Sequence, residues 1–242
     1  MMQKEAETLE KIRADLFGMA DPAYRDFHAA LIPTVEKARV IGVRTPVLRR
    51  YARALPKEES AVFLASLPHE YYEEENLHAF LLERVREPAL LVPALEGFFP
   101  CIDNWASCDM MNPRALAGIE PPALFQLAAG WISSSPVYAV RFGILTLQRY
   151  FLSEQNADPQ ALSLVAGIRR EEYYIRMMAA WFFATALTLQ YEAALPYFTS
   201  GELPFFIHNK AISKARDSHR IPKERKAALA ALRRTATAEG VR

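Results

Sequence analysis

One pattern recurs along this chain at a nearly constant interval, and it constrains the fold more than any single motif. FFIHNKAISKA (205–215) aligns with YYIRMMAAWFF (173–183), with aromatics at the first two places, Ile at the third and Ala at the seventh. PVYAVRFGILTL (136–147) lies in the same phase 36 residues earlier, placing Tyr138 under Tyr174 and Gly143 under Ala179. Another step of 36 reaches CIDNWASCDMM, with Ile102 under Tyr138 and Ser107 under Gly143. A small residue at the shared position lets two helices pack closely. The acidic stretch HEYYEEENLHAFLLERV fits as an earlier unit in a looser register. A period in the mid-thirties, with two helices per unit, is the signature of a stacked α-helical solenoid.

The rest of the chain agrees with an all-α fold. Prolines such as Pro33, Pro46, Pro56, Pro88, Pro136 and Pro204 cut it into short segments. Between them, stretches such as ALFQLAAGWI and EYYIRMMAAWFFATAL carry apolar residues at helical spacing, and strand-like alternation is absent. Only 9 of 242 residues are Gly, while Ala, Leu, Glu and Arg abound, a balance that favours helix. With 51% hydrophobic and 24% charged residues the chain can bury a sizeable core. The expected organisation is one repeat domain over 1–242, with N-terminal helices at 3–32, repeats from about 46 to 234 and a frayed tail at 235–242.

Several classes are disfavoured. No apolar run approaches the roughly 20 residues of a membrane span, and MMQKEAETLEKIRADL lacks the apolar centre and cleavage site of a secretory leader. Cys101 and Cys108 stand seven apart, without zinc or redox spacing, and the five histidines form no ligand motif. The expectation is a cytoplasmic protein with reduced thiols, no membrane and no metal.

The net charge of +1 is uninformative, but its distribution is not. From Phe206 to Arg234 nine Lys or Arg, including Lys210, Lys214 and Arg216, face two acids, Asp217 and Glu224, a local balance of +7. A second basic group, Arg44, Arg49, Arg50 and Arg53, follows Gly42. Such clusters ordinarily keep a helix solvated; a nucleic-acid partner is the alternative.

The repeat singles out four further residues. Trp105, Arg141 and Met177 are 36 apart each time, as are Asp109, Leu145 and Trp181. Stacked in parallel, equivalent helices would set these six in two adjacent columns on one face. Each has a plainer reading. Trp105 and Trp181 fit as core aromatics, Asp103 as the N-cap of the helix NWASCDMM, and Asp109 as the ion-pair partner of Arg141. Asp109 is the hardest to dismiss, because it lies late in its helix, where the helix dipole disfavours an anion.

Together the helical repeats, GVRTPVLRR (42–50), the Trp-x-x-x-Asp of WASCD, the Arg of YAVRFGIL and the Trp of IRMMAAW resemble the AlkD-type DNA alkylation repair proteins. These are DNA glycosylases built of HEAT-like repeats, and the resemblance runs from about Tyr24 to Arg234. It implies a right-handed HEAT-like solenoid with a basic groove for double-stranded DNA. Trp105, Asp109 and Trp181 would line a cleft at the damaged nucleotide, and Arg141 would hold a phosphate or Asp109. Arg44, Lys210, Lys214 and Arg216 would contact the DNA backbone. The implied reaction is hydrolysis of the N-glycosidic bond of cationic N3- and N7-alkylpurines, without cofactor, by a monomeric, nucleoid-associated cytoplasmic protein of bacterial type. A non-catalytic DNA-binding relative, and a solenoid scaffold for a protein partner, are the alternatives. One segment departs from the pattern: Pro33 interrupts any helix from Tyr24 onward, and no Tyr, Phe or Trp lies between Phe27 and Tyr51, where active members carry a lesion-contacting helix.

Overall fold

A computed structural model describes residues 2–235 and divides them into two compact units, one up to Glu120 and one from Pro121 onward. The described residues form fourteen α-helices and no strand, as the periodicity predicts. In the first unit these are α1 (Met2–Gly18), α2 (Pro22–Ala29), α3 (Thr45–Ala54), α4 (Lys57–Leu64), α5 (Tyr72–Leu82), α6 (Pro88–Phe98) and α7 (Trp105–Met110). In the second they are α8 (Pro121–Ile132), α9 (Val137–Phe151), α10 (Pro159–Ala166), α11 (Tyr173–Leu189), α12 (Tyr191–Thr199), α13 (Phe205–Asp217) and α14 (Lys223–Ala231).

The prolines act as starters. Pro22, Pro46, Pro88 and Pro159 occupy the first turns of α2, α3, α6 and α10, where an amide hydrogen would have no helical partner. Pro56, Pro136, Pro204 and Pro222 sit at the N-caps of α4, α9, α13 and α14. The helices expected at 3–32 are α1 and α2, which end at Ala29. Beyond Pro33 only a single 3₁₀ turn, Lys37–Arg39, precedes Gly42. The tail expected to fray lies, apart from residue 235, outside the described residues.

In the second unit α9, α11 and α13 pack as successive neighbours, and their aromatics keep the repeat. The rings of Tyr138 and Tyr174, 36 residues apart, lie 6.2 Å centroid to centroid, and Tyr173 meets Phe206, one place beyond its equivalent Phe205, at 6.1 Å. Gly143 allows the close packing expected of it. A Cβ there would stand 2.8 Å from the Ala128 carbonyl oxygen and 2.8 Å from Ile132 Cγ1, so α9 can lie against α8 only where a side chain is missing.

The first unit is organised around α5, and here the acidic segment departs from its appearance. All eleven residues from Tyr72 to Leu82 are buried, three consecutive glutamates among them. Each glutamate is matched to donors on a different part of the unit. Glu73 accepts from the backbone N–H groups of Ile41 (2.8 Å), Gly42 (2.7 Å) and Val43 (3.2 Å). Glu74 receives Arg13 of α1 at 2.8 Å and accepts from the backbone N–H of Tyr71 at its own helix start at 3.1 Å. Glu75 takes Arg39 at 3.0 Å and the side-chain amide of Asn104 at 2.9 Å. Burying a carboxylate is costly unless it is paired and hydrogen-bonded, and these contacts supply both. Gly42 adopts φ +99°, and a Cβ there would lie 2.7 Å from both Arg25 Cβ and the Asp21 carbonyl oxygen. Its freedom lets three successive amides turn toward Glu73.

Candidate functional site

The helix carrying Trp105 and Asp109 is α7, which has six residues and is too short to hold itself. Its N-terminus is fixed by Asn104, whose side chain accepts from the Ser107 N–H at 2.8 Å. This corrects the expectation that Asp103 is the cap. Asp103 instead pairs with Arg39, because the backbone turns extended at Asn104, one residue later. The cap is itself held from α5. Asn104 Nδ2 donates to Glu75, and the Ser107 hydroxyl donates to the Asn76 side chain at 2.8 Å.

The Glu75 carboxyl is pushed up to about 8, first by burial and then by the nearby Asp103 charge; Arg39 and the Ser107 hydroxyl act against the rise. Trp105 is half-buried and packs against a cluster of Ile32, Val35, Val40, Tyr72 and Ala106. Its indole N–H donates to the Leu31 carbonyl oxygen at 3.0 Å. The plain reading of Trp105 as a core residue therefore holds for one part of the ring, while the rest remains accessible. Asp109 is half-buried in the last turn of α7. Arg44 reaches back to Asp21 (2.8 Å) and lies over the Tyr24 ring at 5.0 Å, leaving its side chain about half exposed. Asp21 is held below the usual carboxylate range, by the Tyr24 backbone N–H first and Arg44 second.

In the second unit Trp181 is 40% exposed on α11. It lines a groove of about 460 Å³ together with Thr185, Thr188, Lys214, Ser218 and Arg220. Burial lowers the Lys214 ammonium, the charges of Lys210 and Arg141 lower it further, and Asp217 acts against the fall. Arg141 is only 5% exposed and donates to the Tyr174 carbonyl oxygen at 2.6 Å. Arg216 points elsewhere. It lines a separate groove of about 300 Å³ with Ser213, Asp217 and Lys226 toward α14. On a helix, positions 210 and 214 share a face and 216 does not. Lys214 thus lines the groove of Trp181, with Lys210 on the same helix face, and Arg216 lines the other groove.

Among the described residues no group of three or more His, Cys, Asp or Glu is placed to hold a metal ion, and no helix is long and apolar enough to cross a membrane. Sequence reasoning missed the buried glutamates and the role of Arg49, which pairs with Glu83 on the α5 side of α7. Three adjacent acids in an otherwise apolar helix were the only visible signal, and a solvated face explains them equally well.

A family model described as "DNA alkylation repair enzyme" matches residues 12–184. That span includes Trp105, Asp109, Arg141 and Trp181 and stops short of Lys210, Lys214 and Arg216. No curated protein matches the chain.

Proposed function

Because this chain belongs to the DNA alkylation repair enzyme family, we propose that it is a monofunctional DNA glycosylase releasing cationic N3- and N7-alkylpurines from duplex DNA. The observation that carries this reading is Trp181, an indole held at the surface of a groove lined by Lys214, by Asp217 and by Arg220, which also pairs with Glu154. A cationic edge suits phosphates, and an exposed aromatic face suits a sugar or base.

The chemistry asks little of the protein. An alkylated purine with a ring positive charge leaves with the electron pair of the glycosidic bond and needs no general acid. The deoxyribose is left with oxocarbenium character, which a nearby carboxylate stabilises electrostatically. Asp109 is assigned that role and the orientation of the water that adds to C1′. Trp105 and Trp181 present indole faces, whose negative potential favours a cationic sugar. Arg141, almost fully buried, is assigned to hold charge in place rather than to reach far into solvent. Arg44, Lys210, Lys214 and Arg216 are assigned to the DNA backbone.

A second reading, a DNA-binding relative without excision, is favoured by one observation. The chain between Pro33 and Gly42 has no α-helix, and the Leu31 carbonyl engages the indole N–H of Trp105. Release of 7-methylguanine and 3-methyladenine from methylated duplex separates the two. Release by the wild type, lost in Asp109→Asn with DNA still bound, supports the glycosylase. Binding without release by either protein supports the second reading.

A further inference from the structure

The C-terminal end of α7 is gripped as firmly as its N-terminal end, and the grip comes from the basic segment that follows Gly42. Arg49 of α3 forms a fork with Glu83, Nη1 to Oε2 at 2.7 Å and Nη2 to Oε1 at 3.3 Å. The same Nη2 donates to the carbonyl oxygen of Met110 at 3.0 Å. Glu83 completes the loop by accepting from the backbone N–H of Asn112 at 3.0 Å. The guanidinium also lies 3.9 Å over the Phe80 ring of α5, which fixes its plane. Met110 directly follows Asp109, so this fork holds the peptide unit next to the carboxylate.

The electrostatics point the same way. The last carbonyls of a helix carry partial negative charge, and an anion in that turn is disfavoured. The Arg49–Glu83 pair is neutral as a whole, but the guanidinium bonded to the Met110 carbonyl satisfies an otherwise open helix-end acceptor beside Asp109. A lysine could not replace Arg49, because one ammonium cannot span a carboxylate and a carbonyl in a fixed plane.

We infer that Arg49 and Glu83 are positioning residues for excision: their fork fixes the end of α7 and thereby the placement of the Asp109 carboxylate. This rests on the assignment of Asp109 above. Arg49 accordingly leaves the pool of surface cations available to DNA, although the sequence groups it with Arg44, Arg50 and Arg53.

The test is single-turnover release of 7-methylguanine from methylated duplex by the wild type, Asp109→Asn, Arg49→Lys, Glu83→Gln, and each clamp variant combined with Asp109→Asn. Duplex affinity and urea transitions are measured on the same proteins. If Arg49→Lys loses its folding transition, Glu83→Gln, which keeps the side-chain volume, carries the test. The expected result is a loss of roughly 10- to 100-fold in release rate for each clamp variant with unchanged duplex affinity. The clamp variants should cost nothing further once Asp109 is Asn, a non-additivity that a general loss of stability would not produce.

Wild-type rates in the clamp variants, or losses that multiply with that of Asp109→Asn, overturn the inference while leaving the glycosylase reading intact. Weakened duplex affinity at unchanged release rate returns Arg49 to the DNA-contacting cations and overturns it too. No release by the wild type overturns the glycosylase reading and, with it, the assignment of these two residues to excision.

Discussion

Trp105 donates its indole N–H to the carbonyl oxygen of Leu31 across 74 residues of chain, at 3.0 Å. The stretch broken by Pro33 is therefore bonded directly to Trp105. Trp105→Phe keeps most of the packing and removes this bond. The expected loss is about 1 kcal/mol in the urea transition. An unchanged midpoint would mean that water replaces the bond at no cost.

Lys214 lines Trp181's groove and Lys210 precedes it by one turn on the same face of α13, whereas Arg44 is committed to Asp21 and Tyr24. Duplex affinity measured against salt should reflect this. Each lost phosphate contact lowers the slope of log affinity against log salt by about 0.9. Lys210→Gln with Lys214→Gln should reduce the slope by roughly 2, and Arg44→Gln should reduce it less. Equal effects of Arg44 and the lysine pair would contradict the separation.

Gly143→Ala should destabilise the protein by roughly 1–3 kcal/mol, because its Cβ meets backbone rather than a yielding side-chain end. Gly130→Ala, on exposed α8 surface with nothing within 4 Å of the new Cβ, should instead stabilise by about 0.5–1 kcal/mol. Thermal melts of the two variants side by side measure the difference, and matching shifts would show that α9 and α8 yield freely.

His69 and His78 share a hydrogen bond at 2.9 Å and stack on Phe63 and Phe98. Burial depresses them to about 4 and about 3, below the ordinary 6.5. The unfolded chain therefore binds protons that the folded one refuses, and stability present above pH 6.5 is lost as pH falls. The slope is about 1.4 kcal/mol per pH unit for each group. Glu75, raised to about 8, acts oppositely, with stability lost as pH rises from about 4.5 through 8. Between pH 4.5 and 6.5 the wild type's urea midpoint should rise with pH, whereas in His69→Gln/His78→Leu, with Glu75 left unopposed, it should fall. Parallel profiles would rule the pair out as the source.

The helices were legible because the repeat and the prolines report backbone preferences that act locally. Tyr138 and Tyr174 met in space as their spacing of 36 predicts, and Gly143 performed the packing role its position suggested. Trp105 and Asp109 share a helix, again as spacing predicts. What stayed hidden depends on partners distant in sequence. Whether Asp103 or Asn104 caps α7 turns on one backbone dihedral, and both residue types cap well. Glu73, Glu74 and Glu75 look like a solvated face until their donors at 13, 39 and 41–43 are known. Arg49 and Arg216 carry the same charge as their neighbours, and only tertiary packing shows that one is a clamp and the other faces α14.

The three glutamates of α5 also bear on how far this chain can be cut back. A shortened protein beginning at Thr45 would strip Glu73 of all three amide donors, Glu74 of Arg13 and Glu75 of Arg39, leaving three neighbouring buried acids to be protonated or driven into solvent. The first 43 residues thus act as counterion and ligand for a helix thirty residues downstream. Domain boundaries drawn at the first recognisable repeat would therefore remove the partners of three buried acids and destabilise the fragment.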